Sequence, residues 1–303
     1  MINGAQGRTE AALRRDQSGV YLLMILQSFA ASGTHLVAKV VVESIDAFTL
    51  TLVRSLIASA GMGVVLLVSG RRFRFRREDW LLLIGLSFLG VSINQFLFLY
   101  GMRFTTAANA ALLYATTPTL VLLLSRIFLK ERLTGRKVIG VCVAFAGVLL
   151  VIFERGLDAS MQFVFGNVVI AVAVLAWGLY TVGGKRLIAR YGPIEASAGT
   201  LMVGTLIFLP IGLLPALAFP YQTLTGANWA QIGYLALITS VVSYLLWYSA
   251  LSRIDAAKVA LFSNLQPILT TVLAVLLLGQ DVTVQFVVGG TIAIFGVVIA
   301  QFG

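Results

Sequence analysis

Residues 134–153 read TGRKVIGVCVAFAGVLLVIF, and residues 283–302 read TVQFVVGGTIAIFGVVIAQF. Thr134 falls on Thr283, Gly140 on Gly289, Gly147 on Gly296 and Phe153 on Phe302, all at a spacing of 149 positions. The register runs upstream without a gap, through Pro118 on Pro267 to Trp80 on Trp229. A weaker echo precedes it, with Lys39 over Lys185 at a spacing of 146. The chain is one unit written twice. About 20 apolar residues suffice for a helix to cross roughly 30 Å of hydrocarbon. In lipid a helix satisfies its own backbone polar groups. The repeated stretch is therefore read as the membrane helix that ends each half.

The rest of the chain obeys the same rule. Of 303 residues 59% are hydrophobic and only 11% charged, with a mean hydropathy of +0.97. That leaves too little polar surface to cover a soluble core. Short charged runs separate ten apolar stretches, at about 18–40, 46–69, 80–102, 106–128, 135–153, 163–184, 194–215, 229–251, 256–278 and 282–302. The expected fold is an all-α polytopic membrane protein, ten helices in two five-helix repeats. Residues 1–17, polar and mixed in charge, are expected to be a disordered tail. The repeats span 18–153 and 163–303, with a linker at 154–162. No short apolar region with a cleavage site precedes the first helix, which is read as an uncleaved anchor.

A formal net charge of +10 raises the question of nucleic acid. The placement of the charge answers it. With ten helices starting inside, eighteen of the 22 Lys and Arg fall on the inner side; Lys39, Arg103 and Arg155 fall outside, and Arg54 lies within a helix. Cytoplasmic loops collect Lys and Arg because that bias sets insertion. The partners expected are the bilayer and a small-molecule substrate, not nucleic acid. Both termini are expected on the cytoplasmic side of the inner membrane. With five helices per half, the repeats run in opposite directions, an inverted arrangement characteristic of transporters with a site near the midplane. The sequence leaves the oligomeric state open and accommodates a monomer. Cys142 is the single cysteine, so no intrachain disulfide or multi-cysteine metal site is expected, and no cofactor.

Pro118 and Pro267 lie mid-helix at matching positions, and each removes a backbone hydrogen bond. Kinks facing a hydrated cavity are expected there, flanked by Tyr114 and Thr117 in one half and by Ser263, Asn264 and Gln266 in the other. Asn94 and Gln95 align with Ser243 and Tyr244, in mid-helix, where an amide facing lipid is expensive. Trp177 and Tyr180 are three apart, and Tyr244 and Tyr248 four apart. Such rings bind apolar or cationic groups, or simply pack.

His35, the lone histidine, is a candidate proton relay or a core imidazole held by a neighbouring helix. Arg54 lies about eight residues into its helix, and the nearest acid, Asp46, is two turns away. A structural charge tying that helix to the bundle is expected for Arg54, and a helix-end role for Lys39. None of the twelve acids falls deep within a helix, which disfavours proton antiport through a buried carboxylate. An intramembrane enzyme would need an acid pair, a Ser–His dyad across helices or a metal cluster. Ser32 and His35 share one helix, so no enzyme is expected.

Lys39, Arg54, Tyr100-Gly101-Met102, Thr117-Pro118 and the Leu129–Thr134 loop, with Ala256-Ala257-Lys258 and Gln266-Pro267 in the second half, resemble the EamA-type branch of the drug/metabolite transporter superfamily. The resemblance covers residues 18–302. It implies ten helices as two inverted repeats, and export, or less often import, of small metabolites such as amino acids. Two departures stand out. The acid often found before the two prolines is Thr117 here and Gln266 in the second half, and Glu131 is answered by Gln280.

Overall fold

The computed structural model describes residues 2–105, 107–130, 134–153, 161–278 and 284–301. The turn at 131–133, position 280 and most of the expected 154–162 linker lie outside them. Ten helical rods follow one another: α1 (Ile2–Val41), α2 (Ala47–Val68), α3 (Arg77–Met102), α4 (Ala107–Ala115 with Thr117–Phe128), α5 (Gly135–Phe153), α6 (Met161–Tyr191), α7 (Pro193–Ala218), α8 (Gly226–Leu251), α9 (Ala256–Leu261 with Leu265–Leu278) and α10 (Val284–Gln301). α1 extends back to Ile2, through the stretch whose composition suggested a disordered tail. α6 and α7 are joined through Gly192 alone, whose φ of +84° suits glycine.

The exterior is apolar, and polar and charged side chains are buried among the apolar ones of the interior, which is not the pattern of a soluble bundle. Leu67, Leu81 and Leu214 are 82%, 83% and 75% exposed, whereas Arg54, Asn94, Gln95 and His35 are all buried. Lipid is the solvent for this surface. Among the described residues seven helices are long and apolar enough to cross a membrane, and α4 and α10 add shorter apolar stretches.

The two halves meet about a pseudo-twofold axis, because residues matched by sequence touch each other. α2 lies along α7, and Ser59 Oγ meets its counterpart Thr205 Oγ1 at 2.9 Å. On α3 and α8, Gln95 Nε2 donates to its counterpart Tyr244 Oη at 3.1 Å. α5 lies along α10. There a Cβ on Gly147 would run into the Ala293 nitrogen and stand 2.5 Å from the Gly289 carbonyl oxygen. Reciprocally, one on Gly296 would run into the Ala144 nitrogen and stand 2.7 Å from the Gly140 oxygen. Such reciprocity marks a two-fold interface. The small residues of the repeated stretch let two backbones touch.

The proline kinks take a specific form. α4 is interrupted at Thr116, and α9 by a 3₁₀ turn at Phe262–Asn264. Both breaks lie just before the proline, whose missing N–H and ring act on the preceding turn. Ser28 Oγ of α1 donates to the Phe262 carbonyl at 3.2 Å, so a neighbouring helix supplies a donor at the break.

Candidate functional site

Between the halves lies a cavity of about 70 Å³. A single ordered water needs roughly 10–15 Å³ measured in this way, so the space admits several. Its walls are Gln27, Ala31, Thr34 and His35 of α1, Arg54 of α2, Asn94, Gln95 and Phe98 of α3, Tyr114 of α4, Trp177 of α6, Thr239, Ser243 and Tyr244 of α8, and Gln266 of α9. Asn94 Nδ2 donates to Tyr114 Oη and to the Ala173 carbonyl, both at 2.8 Å. Gln27 Nε2 donates to Ser243 Oγ at 3.0 Å, and the Thr34 and Thr239 hydroxyls pair at 2.9 Å. The buried Oε1 atoms of Gln27 and Gln95 have no protein partner. Open acceptors beside a cavity are sites for water or a ligand.

The sequence-derived candidates divide into two groups. Asn94, Gln95, Tyr114, Trp177, Tyr244 and Gln266 line the cavity. Thr117, Tyr180, Tyr248 and Asn264 are buried but stand outside its wall. Tyr180 stacks on Trp177 at 5.4 Å and on Tyr248 at 5.3 Å, and its hydroxyl meets Thr200 Oγ1 at 2.9 Å. Helical spacing put these rings on one face, and tertiary packing set them against each other. Gln27 was missed, although an amide in the middle of an apolar helix is the same signal that singled out Asn94. Ala31, Thr34 and Phe98 carry no such signal.

Local backbone geometry builds the site. Phe88–Gln95 of α3 and Tyr234–Ser243 of α8 are π-helical, and the two segments correspond through the repeat. A π segment adds a residue per turn and re-aims side chains, and such segments concentrate at functional sites. Here they carry Asn94, Gln95, Thr239 and Ser243 to the cavity.

The cavity is lopsided because the halves differ where they should match. Ala31 and Thr34 of α1 correspond to Trp177 and Tyr180 of α6. The position against Thr239 holds Thr34, whereas the matching position against Gly90 holds Tyr180, whose ring carbon would stand 2.7 Å from a Cβ on that glycine. Small side chains leave space on one side. On the other, Trp177, Tyr180, Tyr244, Trp247 and Tyr248 pack into a cluster.

The isolated charges take up different roles. Arg54 Nε donates to the Leu235 carbonyl and to Ser240 Oγ, both at 3.0 Å, tying α2 to the π segment of α8. Asp46 does not pair with it; its Oδ1 accepts from the Phe48 and Thr49 amides and caps α2. Lys39 Nζ donates to the Met102 carbonyl at the end of α3 at 3.0 Å. Its counterpart Lys185 lies 4.0 Å from Asp255, just past the end of α8. His35 stands edge-on to Phe98 and Tyr114, each at 5.5 Å, with Nδ1 buried and unpartnered.

Both ends of the bundle are bolted, unequally. At the basic end the buried carboxylate of Asp79 accepts from Arg190 Nη1 and Tyr191 Oη. At the same end Arg71 meets Glu195 at 3.1 Å and Lys137 meets Asp255 at 3.3 Å. The counterparts of Asp79 and Arg190 are Asn228 and Ser44. They meet at the opposite end, where Asn228 Nδ2 donates to Ser44 Oγ at 3.2 Å. One contact is charged and the other neutral.

Comparison with known proteins follows this architecture. The EamA-like transporter family matches residues 18–153 and 164–302, one match per repeat. An uncharacterized transporter of Bacillus subtilis, YetK, is 29% identical over 288 residues, 94% of this chain and 87% of that protein. A probable terminal-alkyne amino-acid exporter of Streptantibioticus cattleyicolor is 30% identical over 256 residues, covering 84% and 82% of the two chains. A solved crystal structure superposes with a TM-score of 0.78 at 20% identity over 94% of this chain and 97% of the other, a likeness of fold. The chain is a membrane protein that belongs to the EamA-like transporter family.

Proposed function

We propose that this protein moves small metabolites, amino acids or similar neutral and zwitterionic compounds, across the inner membrane by alternating access, as an exporter or facilitator. The observation that carries this reading is the cavity between the halves, lined by polar side chains and aromatic rings of α1, α2, α3, α4, α6, α8 and α9. The matched bolts at the two ends support the mechanism. An inverted repeat has two related closures, and opening either one exposes the same central site. The positive-inside bias supports a cytoplasmic position for the basic end. The exporter name of the Streptantibioticus relative supports the amino-acid class.

Flux of labelled amino acids into proteoliposomes preloaded with an unlabelled mixture, with and without an imposed pH gradient, tests this. Flux indifferent to the gradient supports a facilitator; absence of flux for every amino acid sinks the substrate class. A second reading, a proton-coupled antiporter, rests on His35, whose unpartnered Nδ1 stands at the cavity. Flux that requires the gradient and disappears in His35→Ala would favour it.

Asn94→Ala is expected to lower flux by roughly ten-fold while the protein still folds. The substitution removes a donor that serves Tyr114 Oη and the Ala173 carbonyl, and losing a buried hydrogen-bond partner costs about 1–3 kcal/mol. Flux within two-fold of the parent would remove Asn94 from the site.

A further inference from the structure

The guanidinium of Arg54 is more than the helix tie that the sequence suggested. It is buried at 2% exposure in the interior of a membrane bundle and stands in the wall of the central cavity. Its Nε is used, donating to the Leu235 carbonyl and Ser240 Oγ. Its Nη1 is buried without any partner. No carboxylate lies within ion-pair distance of it among the described residues, and no Asp or Glu is among the cavity walls. Arginine does not shed its proton to escape this position. A buried charge is normally paired, and a lone one in a membrane interior marks a ligand pathway.

The repeat makes the point sharper. The position matching Arg54 in the second half is Thr200, which bonds Tyr180 within the aromatic cluster. Packing at this place in the fold is met by a threonine in one half. The other half holds a cation, on the side where the small residues Ala31 and Thr34 leave the cavity open. The symmetry of the scaffold breaks where the charge enters the site.

We propose that Arg54 is the carboxylate-binding residue of the transport site, so that the substrates are monocarboxylates with a neutral or cationic far end. This rests on the transport reading above and narrows it. The Nη edge of the fork meets the substrate carboxylate, while Nε holds the group to α8. Planar guanidinium and planar carboxylate match each other donor to acceptor. The faces of Trp177 and Tyr244 receive the far end, an ammonium or an apolar side chain. Substrate carboxylate neutralises a charge that the protein leaves unpaired, so binding and relief of that charge are one event. Ser240 and Leu235 lie in the π segment of α8, and occupancy of Arg54 therefore acts directly on the helix that must move between the two closures.

The test is counterflow in proteoliposomes of the full chain with four probes of one side chain: L-phenylalanine, its methyl ester, its amide and phenethylamine. L-Leucine and its ester serve as a second set. The acids are expected to exchange at least ten-fold faster than the two esters, the amide and the amine. Arg54→Gln is expected to abolish that preference, and Arg54→Lys, a cation without the planar fork, to restore part of it. The wild-type comparison needs no variant, so a misfolded Arg54→Gln does not blunt it. Esters or amines that exchange as fast as the acids overturn the assignment while leaving the transport reading intact. So does a folded Arg54→Gln that still prefers acids. Exchange of none of the compounds overturns both.

Discussion

Gly147→Val is expected to abolish the folded protein. It should yield no monodisperse species in mild detergent and no flux. α5 and α10 touch through backbone at this position, where any Cβ would run into the Ala293 nitrogen and crowd the Gly289 carbonyl. Ordinary overpacking costs about 1–3 kcal/mol because side chains can give way. Backbone atoms in a hydrogen-bonded helix have no rotamer to change, so both helices must separate along their length. Gly296→Val should fail equally, since the contact repeats about the axis with Ala144 and Gly140. Gly85→Ala is the matched control, with no atom within 4 Å of its added Cβ. In an exposed helix interior, alanine gains about 0.5–1 kcal/mol over glycine. The check is thermal unfolding in detergent across the three variants. A Gly147→Val protein melting within a few degrees of the parent would refute the account of the α5–α10 seam.

Asp79→Asn is expected to release the basic end. The carboxylate of Asp79 is buried and takes two donors, Arg190 and Tyr191, whereas Arg190 is half exposed. An amide in its place weakens the pair, because charge-assisted hydrogen bonds are roughly twice as strong as neutral ones. The loss falls only on the state in which this end is closed, so the population shifts toward opening. Cys142 is exposed and must first be replaced. Ala31→Cys, in the cavity wall, then reports access to a membrane-impermeant maleimide. Labelling from the basic side should rise several-fold in Asp79→Asn and fall back when the charges are exchanged as Asp79→Arg with Arg190→Asp. Asn228→Ala should raise labelling from the opposite side instead, since Asn228 and Ser44 hold that end. Equal labelling from the basic side in Asp79→Asn and the parent would show that this pair does not gate.

These two contacts show how far the sequence reaches. The seam was legible because Gly140, Ala144 and Gly147 recur as Gly289, Ala293 and Gly296. Small residues at helical spacing in a membrane helix permit close approach of backbones. The contacts at the two ends were not legible. Asp79 and Arg190 lie 111 positions apart, and nothing in either segment says that they meet. Their relation to Asn228 and Ser44 emerges only once the first-half offset of 146 and the later offset of 149 are placed on one axis.

By itself the sequence determined the membrane class, the ten helices, the two repeats and the burial of amides such as Asn94 and Gln95. Each follows from local rules of hydrophobic length, duplication and the cost of a polar group in lipid. Tertiary structure alone decided which buried groups share a cavity. Tyr180 and Tyr248 have the same composition and spacing signals as Tyr244, but packing against Trp177, Trp247 and Gly90 drew them out of the wall. Arg54 read as a structural charge tying its helix to the bundle, with Asp46 two turns away as the nearest acid along the chain. In the fold Asp46 caps α2, the guanidinium reaches α8 some 181 positions away, and one of its nitrogens is left unpartnered beside the cavity. Distance along the chain does not decide pairing: a charge acquires its partner, or lacks one, only when helices remote in the chain close around it.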